Sequence, residues 1–197
     1  MKAFIIALAA AAVAFAQVPA KARIDVYGKD TKVEYKDIKA LGDGSAAIHG
    51  WDKVNGKYNL YSDLTLKTGE WVQTGISFIP LADGIVNLQL KGPYHKPEGE
   101  KSNLPVYVIY DDVTVEGATG MGNPGFETLA ENGKLTAWWM PDPANDGMDM
   151  TLITDAALVK TGSRSVRVWH NKGVSQNITV KANVPVTIKV WIYFQAQ

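Results

Sequence analysis

Seven flat or imidazole side chains, Trp51, Tyr61, Tyr94, His95, Trp139, Trp169 and His170, fall near strand ends, in loops or on polar strand faces of this 197-residue chain. Flat aromatic rings stack on the apolar C–H faces of pyranose rings, while sugar hydroxyls need amide, carboxylate, guanidinium or imidazole partners. Such partners recur at period-two spacing: Asn59 and Asp63 flank Tyr61, and Asn87 precedes Gln89 by two residues. A β-rich core uses aromatic side chains as well, so for each residue alone packing is the simpler account. Catalytic chemistry finds less support. The chain has no Cys, no G-x-S-x-G and no H-E-x-x-H. His49, His95 and His170 are scattered without metal-ligand spacing, and no carboxylate pair is singled out for two-carboxylate glycoside hydrolysis. The expectation is a protein without catalytic activity.

The elements that must position these residues are strands. In residues 58–67, Tyr58, Leu60, Ser62, Leu64 and Leu66 share one face, with Asn59, Tyr61, Asp63, Thr65 and Lys67 on the other. β-branched and aromatic alternation continues over 85–91, 106–115, 165–169, 178–180 and 186–194. Turn signals separate the runs: Gly42-Asp43-Gly44, Asn55-Gly56, Thr68-Gly69, Asp83-Gly84, Gly92-Pro93, Asn132-Gly133 and Thr161-Gly162. Residues 95–103 (HKPEGEKSN) and 141–147 (PDPANDG) read as exposed loops, and 117–122 (GATGMG) as a flexible joint. No stretch beyond the N-terminal segment shows convincing helical periodicity. The fold class expected is all-β, an antiparallel sandwich or jelly roll.

That N-terminal segment reads as a secretory leader. Lys2 is followed by an apolar run over 4–15, and Ala14-Phe15-Ala16 matches a small-x-small cleavage pattern. The run falls short of the ~20 residues needed to span a bilayer. The expected layout is a signal peptide at 1–16 and one β-sandwich domain at 17–197, secreted, periplasmic or displayed at the cell surface. The chain carries 20 Lys+Arg against 20 Asp+Glu, so losing Lys2 leaves 19 − 20 = −1. Without a basic stripe, nucleic acid and anionic membrane surfaces are poor partners. The length suffices to bury a core without disulfides.

Two stretches carry a family resemblance, and they stand in inverted order. Residues 123–127 (NPGFE), 135–139 (LTAWW), 161–168 (TGSRSVRV) and 175–180 (SQNITV) resemble the front of secreted jelly-roll carbohydrate-binding modules of the xylan- and cellulose-binding type. Residues 69–78 (GEWVQTGISF), 82–90 (ADGIVNLQL) and the YDDV of 110–113 resemble the back of the same modules. The closing strand (106–117) thus precedes the opening strand (123–127), as in a circular permutation with the back half at 17–117 and the front half at 118–197. Closing a short flexible joint between neighbouring ends costs little entropy.

The resemblance implies polysaccharide as the partner, with part of the aromatic set forming a binding strip. It places Trp71 and one of Trp138 and Trp139 in the core, the other Trp being exposed because adjacent strand residues face opposite ways. It also implies a structural Ca2+ ion held by Glu127 and by Asp111 or Asp112, with carbonyls of 160–163 contributing. Consecutive strand positions would allow only one of the two Asp side chains to coordinate strongly. The alternative function is a self-assembling extracellular filament or surface-layer subunit. In that case halves or strands, such as the β-forming 186–194, pair head to tail between molecules.

Overall fold

A computed structural model of the chain describes residues 18, 20–28, 33–52, 57–140 and 151–195. The expected leader at 1–16, the turn at 55–56 and the loop at 141–147 lie outside the described residues.

Among the described residues the chain forms twelve strands: β1 (Lys21–Gly28), β2 (Tyr35–Leu41), β3 (Gly44–Asp52), β4 (Lys57–Thr65), β5 (Trp71–Pro80), β6 (Gly84–Lys91), β7 (Val108–Glu116), β8 (Ala118–Thr119), β9 (Thr151–Ile153), β10 (Ser165–Val168), β11 (Val174–Val180) and β12 (Val186–Tyr193). They build two six-stranded sheets. Sheet A runs β3-β4-β1-β6-β11-β8 and sheet B runs β2-β5-β12-β7-β10-β9. Every pair of neighbours is antiparallel. The molecule is an all-β antiparallel sandwich.

Inward positions are filled as the period of two requires. Ala22, Ile24 and Val26 of β1, Leu60 and Leu64 of β4, and Val86, Leu88 and Leu90 of β6 face Ile76 and Phe78 of β5 and Val186, Ile188, Val190 and Ile192 of β12 in one continuous core. Tyr35 packs edge-on against Phe78, with ring centroids 5.1 Å apart. Strands from both sequence halves meet in each sheet. In sheet A, β11 adds to β6, while in sheet B both β10 and β12 flank β7. The terminal strand β12 occupies the middle of sheet B, bonded to β5 and β7 of its own chain.

Two expectations are corrected. Residues 123–127 form a turn, not an opening strand. Pro124 has no N–H to donate, and Asn123 and Phe126 adopt φ of 49° and 59°. Asn123 pins this turn: its side chain accepts from Thr128 N (3.0 Å) and donates to Thr128 O (2.9 Å) and Thr136 O (3.1 Å). The turn still lies against β7, since Val113 N–H donates to Pro124 O at 3.0 Å. Nor is 117–122 a loose joint. Its Ala118 and Thr119 are β8, paired with Val180 and Thr179. A Cβ on Gly117 (φ 77°) would stand 1.8 Å from Pro185 O, so this position is held by close backbone contact.

Tyr110 carries a polar group across the core. Tyr110 of β7 is fully buried, and its hydroxyl reaches sheet A. It donates to Lys91 O (2.7 Å), lies 3.0 Å from Arg23 O, and accepts from Arg23 N (3.3 Å). Removing it would strand buried backbone groups of β1 and β6. Tyr110→Phe is expected to lower unfolding free energy by about 1–3 kcal/mol, the desolvation cost of unpaired buried polar groups. Denaturant unfolding that left the midpoint unchanged would refute this role.

Candidate functional site

The outward face of sheet A is built by register. Arg23, Asp25 and Tyr27 alternate with the inward residues of β1. Opposite them β6 supplies Lys91, Gln89 and Asn87, and β11 then sets Ser175 against Gln89 and Asn177 against Asn87. On the other side, the β4 register brings Asn59 opposite Tyr27 and sets Tyr61 beside Asp25, while β3 pairs Ala47 with Tyr61. Trp139 bridges Ser175 with two backbone bonds of 2.7 and 3.0 Å, extending the sheet by one more residue. A row Ala47, Tyr61, Asp25, Gln89, Ser175, Trp139 thus spans roughly 20 Å or more at the usual strand spacing.

Two open clefts lie on this face. One of about 360 Å³ is lined by Lys21, Arg23, Tyr61, Asp63, Pro93 and Tyr94, among others. The second, of about 280 Å³, is lined by Gln89, Lys91, Trp139, His170, Gly173 and Ser175, among others. They adjoin where Tyr94 packs edge-on to His170 at 5.2 Å. Tyr94 is 58% and Trp139 65% exposed. Tyr61 meets Tyr27 edge-on at 5.7 Å and carries the Arg23 guanidinium over its ring at 4.8 Å. Amides form a chain beside them, with Gln89 Nε2 donating to Asn87 Oδ1 (2.8 Å) and Asn87 Nδ2 to Asn177 Oδ1 (3.0 Å).

Asp25 organises the charged side. It is 1% exposed although its side chain belongs to the outward face. Arg23 lies 3.3 Å and Lys91 3.8 Å from its carboxylate, and Tyr27 donates to it at 3.2 Å. Burial pushes the Asp25 carboxyl up, opposed by the Arg23 and Lys91 charges. Burial also lowers the Lys91 ammonium, opposed by Asp25. The Tyr27 phenol is raised by burial and by Asp25, so it remains a donor.

Of the expected aromatic set, Tyr61, Tyr94, Trp139 and His170 come together on this face. Trp138 is buried beside Phe126 (5.1 Å) while Trp139 is exposed. Trp71 is half-buried against Tyr193 at 5.5 Å, not in the core. Trp169 is corrected: at 7% exposure it has no face open to a ring. The chain turns at once through a bridge to Lys172, and Trp169 Cα packs where a Gly92 Cβ would stand 2.9 Å away. His95 is half-buried in the 92–107 loop, where its carbonyl accepts from Leu104 N–H. Trp51 stands in β3 opposite Tyr58, and its side chain lies outside the described residues. Arg23, Asp25, Tyr27 and Lys91 were missed. The polar-apolar alternation of 21–28 was the available signal, and their association needs the cross-strand register.

The three carboxylates expected to bind calcium converge on one loop, 160–164. Asp111 Oδ2 accepts from Lys160 N (2.9 Å) and Thr161 N (3.2 Å), and its Oδ1 from Asp112 N (2.8 Å). Thr161 Oγ1 donates to Asp112 at 2.8 Å. Glu127 Oε1 accepts from Ser163 N (2.8 Å) and Arg164 N (3.0 Å), and Oε2 from Ser163 Oγ (2.6 Å). Both Asp side chains reach this loop, against the expectation from alternation. A bulge in the β7–β12 register, with Asp112 at φ 48°, breaks the period of two. Burial pushes Asp111 up to about 6 against the pull of the Thr161 and Lys160 N–H groups. Against its own desolvation, the Ser163 and Arg164 donors hold Glu127 below the usual carboxylate range.

All these oxygens face N–H and O–H donors, and among the described residues no group of three His, Cys, Asp or Glu side chains could hold a metal. As arranged, the trio does not fit a calcium ion. It fits a hydrogen-bonded clasp that closes over Gly162, whose φ is 68° and whose added Cβ would stand 2.3 Å from Glu127 Oε1. No protein-family model, curated protein or solved structure matches this chain.

Two outcomes are expected. EDTA leaves the melting temperature unchanged, whereas Gly162→Ala lowers stability by more than about 1 kcal/mol through left-handed strain and the clash. A chelator-dependent melting temperature would reinstate the ion. His170 provides a pH signature. Burial, with the Lys91 and Arg23 charges, lowers its imidazole to about 4. A lowered folded value stabilises the fold above the unfolded value of 6.5, and this contribution is lost as pH falls from 6.5 toward about 4. NMR titration should find His170 neutral at pH 5.5; an imidazolium there would refute the assignment.

Proposed function

We propose that this protein is a secreted, non-catalytic polysaccharide-binding module, a circularly permuted relative in design of the jelly-roll modules it resembles. The observation that carries the reading is the outward face of sheet A. Three aromatic rings, Tyr61, Tyr94 and Trp139, border two adjoining clefts. Gln89 lines one cleft, and the Asn87 and Asn177 amides continue from it along the sheet beside the rings, each able to donate and accept.

This combination suits a chain of pyranose rings. The apolar ring faces stack on aromatic surface, and the equatorial hydroxyls find amides already held in orientation by one another. An open groove across the strands admits an extended polymer in place of a single enclosed molecule. The groove's floor belongs to the sheet, while Tyr94, Trp139 and His170 reach it from segments outside the strands. Leader residues 1–16 would direct the protein to where such polymers are found.

Trp139 offers the cleanest test, since its side chain is mostly solvent-exposed and its backbone, not its ring, joins the sheet. Trp139→Ala is expected to weaken retention in affinity electrophoresis on soluble plant and bacterial polysaccharides by about tenfold, roughly the loss of one stacking contact of 1–1.5 kcal/mol. Melting temperature should stay within 2–3 °C or so of the parent. Retention of the parent on no polysaccharide, or equal retention of the variant, would refute the reading.

A further inference from the structure

The centre of the groove carries more positive than negative charge, and we propose that its ligand is an acidic polysaccharide whose uronate carboxylate lodges between Arg23 and Lys91. This rests on the reading of the sheet A face as a glycan groove and narrows it to a substrate class. Arg23 and Lys91 are direct cross-strand partners on β1 and β6, each with a side chain only 17% exposed. They share one counter-charge, Asp25. The remaining pair at the rim, Lys21 and Asp63, is matched at 2.7 Å. Among the described residues bordering the two clefts, three cations therefore face two carboxylates.

The geometry leaves donors for a second carboxylate. Asp25 takes the Nε and Nη2 side of the guanidinium, which has five N–H donors in a planar fork. The ring of Tyr61 under that plane fixes its orientation. Lys91 Nζ, at 3.8 Å, is too far from Asp25 for a hydrogen bond. The neighbouring imidazole of His170 is kept neutral by burial and by these same two cations, so it adds an uncharged wall. Two half-buried like charges with one anion between them are under-compensated. A ligand carboxylate completes the pairing with charge-assisted bonds, which are about twice as strong as neutral ones. Tyr61 and Trp139, to either side, would stack the flanking rings.

The test uses polygalacturonate, alginate and glucuronoxylan, each beside its carboxyl-reduced counterpart, which keeps the backbone and removes the charge. Calorimetric titration of the full mature chain is expected to give at least one acidic polymer bound about tenfold or more tighter than its reduced form, as one charged hydrogen bond would provide. That preference should shrink as salt rises. Lys91→Gln, checked for an intact melting transition, should abolish the difference between the two forms. Equal or tighter binding of the reduced forms would overturn the acidic class while leaving the glycan groove standing. No binding of either form, together with no retention on neutral polysaccharides, would overturn both.

Discussion

A single phenol ties the two sheets of this sandwich together and fixes its charged groove at the same time. Sandwich cores are held by apolar contact, which is non-directional and leaves the sheets free to slide by small amounts. The Tyr110 hydroxyl is directional. It starts on β7 in sheet B and ends on the backbone of Arg23 and Lys91 in sheet A. Those are the two residues whose side chains project outward as the paired cations. The position of the groove's charge on the surface is thus tied to an interaction in the interior, and the register of β1 with β6 is fixed where the ligand would be read.

That register matters more than any one side chain. In β1, Ala22, Ile24 and Val26 face the core while Arg23, Asp25 and Tyr27 face out. A slip of one residue would exchange these sets, burying a guanidinium and exposing three aliphatic side chains. Burial of the aliphatic set therefore forces the polar set outward, and pairing with β4, β6 and β11 gathers residues from distant parts of the sequence. Asp25 is buried on this outward face only because Arg23, Lys91 and Tyr27 converge over it. A buried carboxylate needs such compensation, and here the groups that compensate it also form the groove.

The sandwich itself was legible in the sequence because one-sided strands must alternate, and β4, β6, β11 and β12 do so with few exceptions. The opposed fates of Trp138 and Trp139 agree with the expectation, although 138–139 form no strand and Trp139 makes only an isolated bridge to Ser175. Failures came where alternation stops. Asp112 in a left-handed conformation turns both Asp side chains toward one loop, and no local signal in VYVIYDDVTVEG marks the bulge. Residues 123–127 turn because Asn123 folds back on Thr128 and Thr136, a network that depends on the later segment being in place. The Trp169 backbone lies close against Gly92, 77 residues earlier by number (169 − 92), a contact that no window along the sequence contains. The groove was half legible: its aromatic rim could be named from residue type, whereas its charged centre exists only through cross-strand pairing.

The carboxylates of the 160–164 clasp and of the groove show how the same residue type takes opposite roles by neighbourhood. Asp111, Asp112 and Glu127 meet backbone N–H and hydroxyl donors of one loop, so each negative charge is answered locally and the loop is closed. Such a site has few free lone pairs for a cation, and inserting one would require the loop to give up its bonds. Asp25 meets side-chain cations instead, and there are two of them. A carboxylate answered by more positive charge than it carries leaves a local field that an anion can fill. The clasp's carboxylates are thus answered by donors of its own loop, whereas the proposed groove keeps an excess of positive charge on which an anionic ligand would act.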